Sequence, residues 1–167
     1  LRPVRGVLRL CALLALVVAG LAIVSLLFPA LGRARRERIV SGWSRMLVRS
    51  CGVTLRECPR EGATTLSAST PGKLLLLNHV SWFDVFAVLS LAPVSFVAKS
   101  EIARWPLLGT LVSRAGTLFL DRGRRHAVRR MNHRVAALLE EGRCVAVFAE
   151  GTTSDGAQLR PFHGNLV

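Results

Sequence analysis

The chain reads as an α/β domain, a largely parallel sheet flanked by helices, preceded by an N-terminal hydrophobic membrane-anchor helix. Three observations predict this. From Leu10 to Leu31 there are 22 residues without a charge. Beyond Gly52, short apolar runs of strand length alternate with segments of helical spacing, as in parallel sheets with helices packed on their faces. Three of those runs end in polar, chemistry-bearing residues, which is where open parallel sheets hold their ligands.

The anchor comes first. As a helix, its uncharged stretch is about 33 Å long, against about 30 Å of bilayer hydrocarbon. A signal peptide would carry a shorter apolar core and a small-residue cleavage site, whereas Arg33, Arg35, Arg36 and Arg38 follow here. With Arg45 and Arg49 these outnumber Arg2, Arg5 and Arg9 on the other flank. The positive-inside rule therefore places the bulk of the chain on the cytoplasmic side. Gly20 and Pro29 leave room for a helix that dips into the bilayer without crossing it. Ile39, Val40, Trp43, Met46 and Leu47 recur at helical spacing beside arginines, as in an interfacial helix. Residues 1–50 are thus expected to form the anchor and residues 51–167 the second domain.

In that second domain, Gly52 to Cys58 alternates as a first strand would, and Thr64 to Gly72 is a Ser/Thr loop closed by Pro-Gly. Leu74 to Leu77 is the second strand, and Trp82 to Leu91 a helix stopped by Pro93. Val94 to Ala98 forms the third strand, Pro106 to Ser113 a short helix, and Thr117 to Leu120 the fourth strand. Arg124 to Glu141 is the best helix: Val128, Met131, Val135 and Leu138 share a face and Gly142 supplies the C-cap. Cys144 to Ala149 is the fifth strand. The chain opens on Leu and stops in an apolar run at Val167, so a piece of a longer protein is expected.

The charge balance narrows the partners. The net charge is +13, with 23 Lys and Arg, of which only Lys73 and Lys99 are lysines. Anionic lipid or an acidic protein suits it; nucleic acid is disfavoured, since no zinc-ligand, RNP-like or helix-turn-helix pattern accompanies the charge. Arg125, Arg129 and His133 form a basic stripe that fits an acidic carrier protein or a solvated helix face. Cys11, Cys51, Cys58 and Cys144 form no CxxC pair and read as buried thiols in a reducing compartment. His126, His133 and His163 show no metal-ligand spacing with them.

The chemistry centres on Lys73 to Val88, KLLLLNHVSWFDVFAV. Ser81 and Asp84 form a capping-box pattern, so a helix starts there. His79 and Asp84 are five apart, which no common helix face allows. They can meet only if His79 sits in the turn and Asp84 in the first turn of the helix. The carboxylate would then fix the imidazole tautomer and leave the other nitrogen as a general base. Taken alone, the segment also reads as a helix cap beside a turn histidine. Two further strand ends bear on the choice. Asp121-Arg122-Gly123 follows Leu120, and Glu150-Gly151-Thr152-Thr153-Ser154-Asp155-Gly156 follows Ala149. In a parallel sheet these would converge with His79 on one crevice. Arg122 offers a fixed fork for phosphate or carboxylate, Gly151 a close backbone approach and Thr152 a hydroxyl.

NHVSWFD, GTLFLDRG and FAEGTTSDG, in this order and spacing, resemble the first three motifs of the PlsC-type glycerolipid acyltransferases. That family includes the 1-acylglycerol-3-phosphate acyltransferases, and the resemblance runs from about Gly52 to Val167. It implies that His79 is the general base, Asp84 its orienting carboxylate, and Arg122 a contact to the acceptor headgroup. Glu150, Gly151, Thr152 and Thr153 correspond to the acceptor site of the third motif. It further implies acyl transfer from an acyl-ACP or acyl-CoA thioester to a lysophospholipid, without metal or redox cofactor, at a bacterial inner membrane. Ser81 is better placed as the N-cap than as a nucleophile. Two positions depart from the pattern: Ala149 replaces the usual proline, and Thr153 stands where many members carry arginine. The fourth motif would lie beyond Val167. Lysophosphatidic acid is the first acceptor implied and lyso-ornithine lipid the alternative, because the Glu150–Gly156 run also looks like that of the bacterial lyso-ornithine lipid acyltransferases. Arg124, Arg125 and Arg160 are near enough in sequence to supply the charge Thr153 lacks. A membrane-tethered basic module without catalysis is the non-enzyme alternative, but it has no use for the His79–Asp84 pair.

Overall fold

The structure, a computed structural model, describes residues 2–59, 61, 65–66, 72–121, 123 and 125–162. It divides into two compact units, Leu1–Ser67 with Phe86–Pro93, and Ala68–Val85 with Val94–Val167.

The first unit is helical. Helix α1 runs from Arg2 to Ala22 and continues through a π-helical turn (Ile23–Leu27) and a 3-10 turn (Phe28–Ala30). Helix α2, Arg33–Ser50, carries the arginines. Gly6–Ala30 is long and apolar enough to cross a membrane, and an 18-residue stretch of it has a mean hydropathy of 2.9 and is only 11% buried. Its Leu10, Leu14 and Val18 side chains point outward, whereas a soluble core helix would bury that face. Trp43 ties α2 to α1: its indole Nε1 donates to the Leu16 carbonyl at 2.8 Å. Gly20 makes this possible, since a Cβ there would lie 3.0 Å from the indole. Trp43 also meets Phe86 edge-on at 5.6 Å, and Arg45 donates to the Ser90 carbonyl at 3.0 Å.

The second unit holds the sheet. Its strands are β1 (Leu74–Leu77), β2 (Val94–Lys99), β3 (Leu118–Leu120) and β4 (Cys144–Phe148), all parallel in the order β1-β4-β2-β3. Helix α3 (Phe83–Leu91) follows β1, α4 (Leu108–Arg114) precedes β3, and α5 (Arg125–Glu140) leads into β4. The parallel sheet with flanking helices is as expected, and the face anticipated for α5 is the one it uses. Met131, Val135 and Leu138 pack with Val97, Leu118, Leu120, Val145 and Val147 in one core cluster, and Val128 lies against it. Each such side chain contributes on the order of 1.5–3 kcal/mol by leaving water. Gly142 closes α5 in the left-handed conformation, φ 74°. The Arg143 and Gly142 amides donate to the Leu138 and Leu139 carbonyls, the two bonds of a Schellman cap.

Three expectations are corrected. Gly52 to Cys58 forms no strand: Val53, Thr54 and Arg56 to Cys58 are exposed along an irregular path, and alternation without a pairing partner leaves a ladder unmade. The short helix starts at Leu108 rather than Pro106, after an unforeseen 3-10 turn over Ser100–Arg104. Cys11 and Cys58 are exposed and only Cys144 is buried, the first because it sits on the outward side of an apolar helix. Most of the Ser/Thr loop from Thr64 to Gly72 lies outside the described residues.

Candidate active site

The site grows from the carboxyl end of β1. After Leu77 the chain leaves the sheet, and His79 occupies the turn before α3. Ser81 and Asp84 cap that helix reciprocally. The Ser81 hydroxyl accepts from the Phe83 amide at 3.2 Å, and Asp84 Oδ2 accepts from the Ser81 amide at 2.9 Å. The same carboxylate oxygen accepts from the Val80 amide at 2.8 Å and lies 3.0 Å from His79 Nδ1. With Asp84 ionised, this oxygen only accepts, so Nδ1 carries a proton, and in the neutral imidazole the Nε2 lone pair is left available. Asp84 therefore fills both roles that the sequence left open. It caps the helix and orients the histidine.

The imidazole is held on its flat side as well. The ring stacks on Phe148 with centroids 3.9 Å apart and planes 13° from parallel, and Phe148 stacks in turn on Phe96 at 5.3 Å. Sheet register explains the contact. Leu77 of β1 is paired with Phe148 of β4. Two residues on from each come His79 and Glu150, and the His79 amide donates to Glu150 Oε2 at 3.3 Å. The His79 carbonyl accepts from the Ser154 amide at 2.8 Å. Glu150 is 3% exposed, and its second oxygen accepts from the Arg160 amide at 3.3 Å.

The remaining expected residues are placed differently. Gly151 adopts φ 72°, a conformation that favours glycine, and turns the chain after β4. Thr152 and Thr153 are exposed on the following loop. Arg122 lies outside the described residues. Its strand, β3, stands at the opposite edge of the sheet from β1, three strand spacings or about 14 Å away. His79 and Glu150 thus come together just beyond the ends of two adjacent strands, while the β3 end lies farther off. Phe148, Ser154 and Arg160 carry no local sequence signal of belonging to the surroundings of His79. Their roles depend on the β1–β4 register, which no local pattern encodes. Among the described residues no group of three or more His, Cys, Asp and Glu side chains could hold a metal ion.

A protein family described as Acyltransferase matches residues 60–167. This chain belongs to the PlsC-type acyltransferase family. A lyso-ornithine lipid O-acyltransferase from Pseudomonas aeruginosa is 40% identical over 132 residues, covering 79% of this chain and 48% of that protein. A 1-acyl-sn-glycerol-3-phosphate acyltransferase from Neisseria gonorrhoeae is 43% identical over 95 residues, covering 57% of this chain and 37% of that one. The chain thus spans about half or less of the curated relatives it matches. Among solved structures, the 1-acyl-sn-glycerophosphate acyltransferase PlsC from Thermotoga maritima aligns over 99% of this acyltransferase-family chain and 68% of its own, with a TM-score of 0.70 and 18% identity. That likeness establishes a shared fold. His79 and Asp84, the HxxxxD-type residues, are the candidate catalytic pair of this family member.

Proposed function

We propose that the protein transfers an acyl chain from a thioester to the free hydroxyl of a lysolipid, with His79 as general base. The observation that carries this is the His79–Asp84 pair, with Nδ1 committed to the carboxylate and Nε2 left to take a proton. The acceptor hydroxyl oxygen attacks the thioester carbonyl carbon as its proton passes to Nε2. Asp84 stabilises the imidazolium that forms. The carbon–sulfur bond then breaks, the ester is complete, and the imidazolium returns its proton to the departing thiolate. No acyl-enzyme is needed. Acyl-ACP or acyl-CoA is the donor, and residues 1–50 hold the rest of the chain, residues 51–167, at a bacterial inner membrane, facing the cytoplasm. The outward leucines and valines of α1 support that attachment.

For the acceptor, lyso-ornithine lipid moves ahead of lysophosphatidic acid, reversing the order inferred from the sequence. Similarity to the Pseudomonas lyso-ornithine enzyme extends over more of this chain than similarity to the Neisseria one. Thr153 favours the same choice: a phosphate monoester carries close to two negative charges and profits from two cations, whereas a headgroup with one carboxylate and an amine needs one. Arg122 would be that cation, with Gly151, Thr152 and Thr153 bordering the headgroup. A thiol-release assay with acyl-CoA and acyl-ACP, each against both lysolipids, tests the proposal. Thiol release only with lysophosphatidic acid would restore the first acceptor, and none with any lysolipid would favour the non-catalytic basic module.

A further inference from the structure

We propose that Glu150 is a positioning residue for the base, acting through the backbone of His79, and not a ligand of the acceptor. The proposal rests on the acyl-transfer reading above and assigns Glu150 a different part in it. A carboxylate that binds a ligand must present a lone pair to it. Glu150 is 3% exposed, and each of its oxygens already faces one backbone amide, His79 at one and Arg160 at the other. A headgroup phosphate or carboxylate would also be repelled by a carboxylate there, and at 3% exposure neither oxygen is open to a headgroup amine.

The geometry gives those two bonds a purpose. His79 lies two positions beyond the last residue bridging β1 and β4, where the ladder no longer supplies partners. Its amide would otherwise be left unpaired next to the sheet, a costly state for a buried donor. Glu150 takes that amide, and the Ser154 amide takes the carbonyl of the same residue at 2.8 Å. Residue 79 is thereby fixed by main-chain bonds on both sides, in addition to its ring contacts with Asp84 and Phe148. Through its other oxygen, Glu150 joins the segment around Arg160 to the same point. One buried carboxylate thus ties together the base's turn and the loop after β4.

Glu150→Gln keeps the shape but replaces one acceptor oxygen by an NH₂ group, which cannot accept from either amide. In the full chain in detergent, it is expected to lower kcat by about 10²-fold, the effect of a displaced catalytic group, with acceptor KM within about twofold of wild type. A rise in acceptor KM with kcat retained would overturn the proposal and make Glu150 a ligand. A kcat loss that merely follows a lower folded fraction in thermal denaturation would overturn it too. An independent readout needs no turnover: in nitrogen-15 histidine spectra, the His79 Nδ1 proton held by Asp84 should be lost or shifted in Glu150→Gln. An unchanged signal would refute the role even if wild type transferred no acyl group, in which case the functional reading alone would have failed. If Glu150→Gln does not fold, Glu150→Asp, which keeps the charge but is too short to reach both amides, is to be read by the same criteria.

Discussion

Nδ1 of His79 lies 3.0 Å from Oδ2 of Asp84, an oxygen that also accepts the amides of Val80 and Ser81. The pair is therefore built into the helix cap, and a single substitution disturbs both. His79→Ala should abolish thiol release from acyl-CoA in the presence of lysolipid. Asp84→Asn should lose about 10³–10⁴-fold in kcat by presenting the wrong tautomer. It should also lose about 1 kcal/mol of stability as a weakened cap, measurable by denaturation. Near-normal turnover in His79→Ala would eliminate the mechanism.

Phe148 supports the imidazole face at 3.9 Å. Phe148→Leu approximately conserves volume, so its stability cost should stay below about 1.5 kcal/mol. An aromatic contact is worth about 0.5–1.5 kcal/mol, and if it bears on the transition state its loss should reduce kcat up to about tenfold. Steady-state kinetics beside thermal denaturation separates the two effects. Unchanged kcat would mean that Asp84 and the backbone bonds suffice to hold the ring.

The strand–turn–helix around His79 was legible because its signals are local: four leucines, a polar break, then a capping box. The α5 core face and its glycine cap were legible for the same reason. Gly52 to Cys58 was misread since alternation marks a strand only when another strand is there to pair with it. The surroundings of His79 were hidden for a different reason. Phe148 and Ser154 reach His79 across 69 and 75 positions of sequence, through a register set by the whole sheet.

Thr153 is exposed on the loop after β4, where the family pattern often has arginine. Thr153→Arg should raise kcat/KM for lysophosphatidic acid and lower it for lyso-ornithine lipid, each by up to about tenfold if the new charge pairs with the headgroup. Both acceptors are to be measured with one donor. A parallel change in both, or none, would show that position 153 does not read the headgroup.

In the helical unit, Trp43→Phe removes the bond from Nε1 to the Leu16 carbonyl but keeps an aromatic ring. It should cost about 1 kcal/mol of stability. Gly20→Val should cost more, because its Cβ would already crowd the indole at 3.0 Å. Detergent-solubilised protein followed by tryptophan emission and unfolding measures both. A Gly20→Val protein as stable as wild type would show that α1 and α2 separate without penalty.

The pairing of Leu77 with Phe148 carries a consequence for how this site comes into being. A slip of β4 by one residue would turn Phe148 to the other face of the sheet and move Glu150 out of line with the His79 amide. Closing the ladder and bringing Phe148 and Glu150 to His79 are then one event. A core change at Val145 or Val147, both almost fully buried, should reduce the number of competent molecules while leaving the rate of each one intact. Active-site titration would see fewer enzymes, not slower ones.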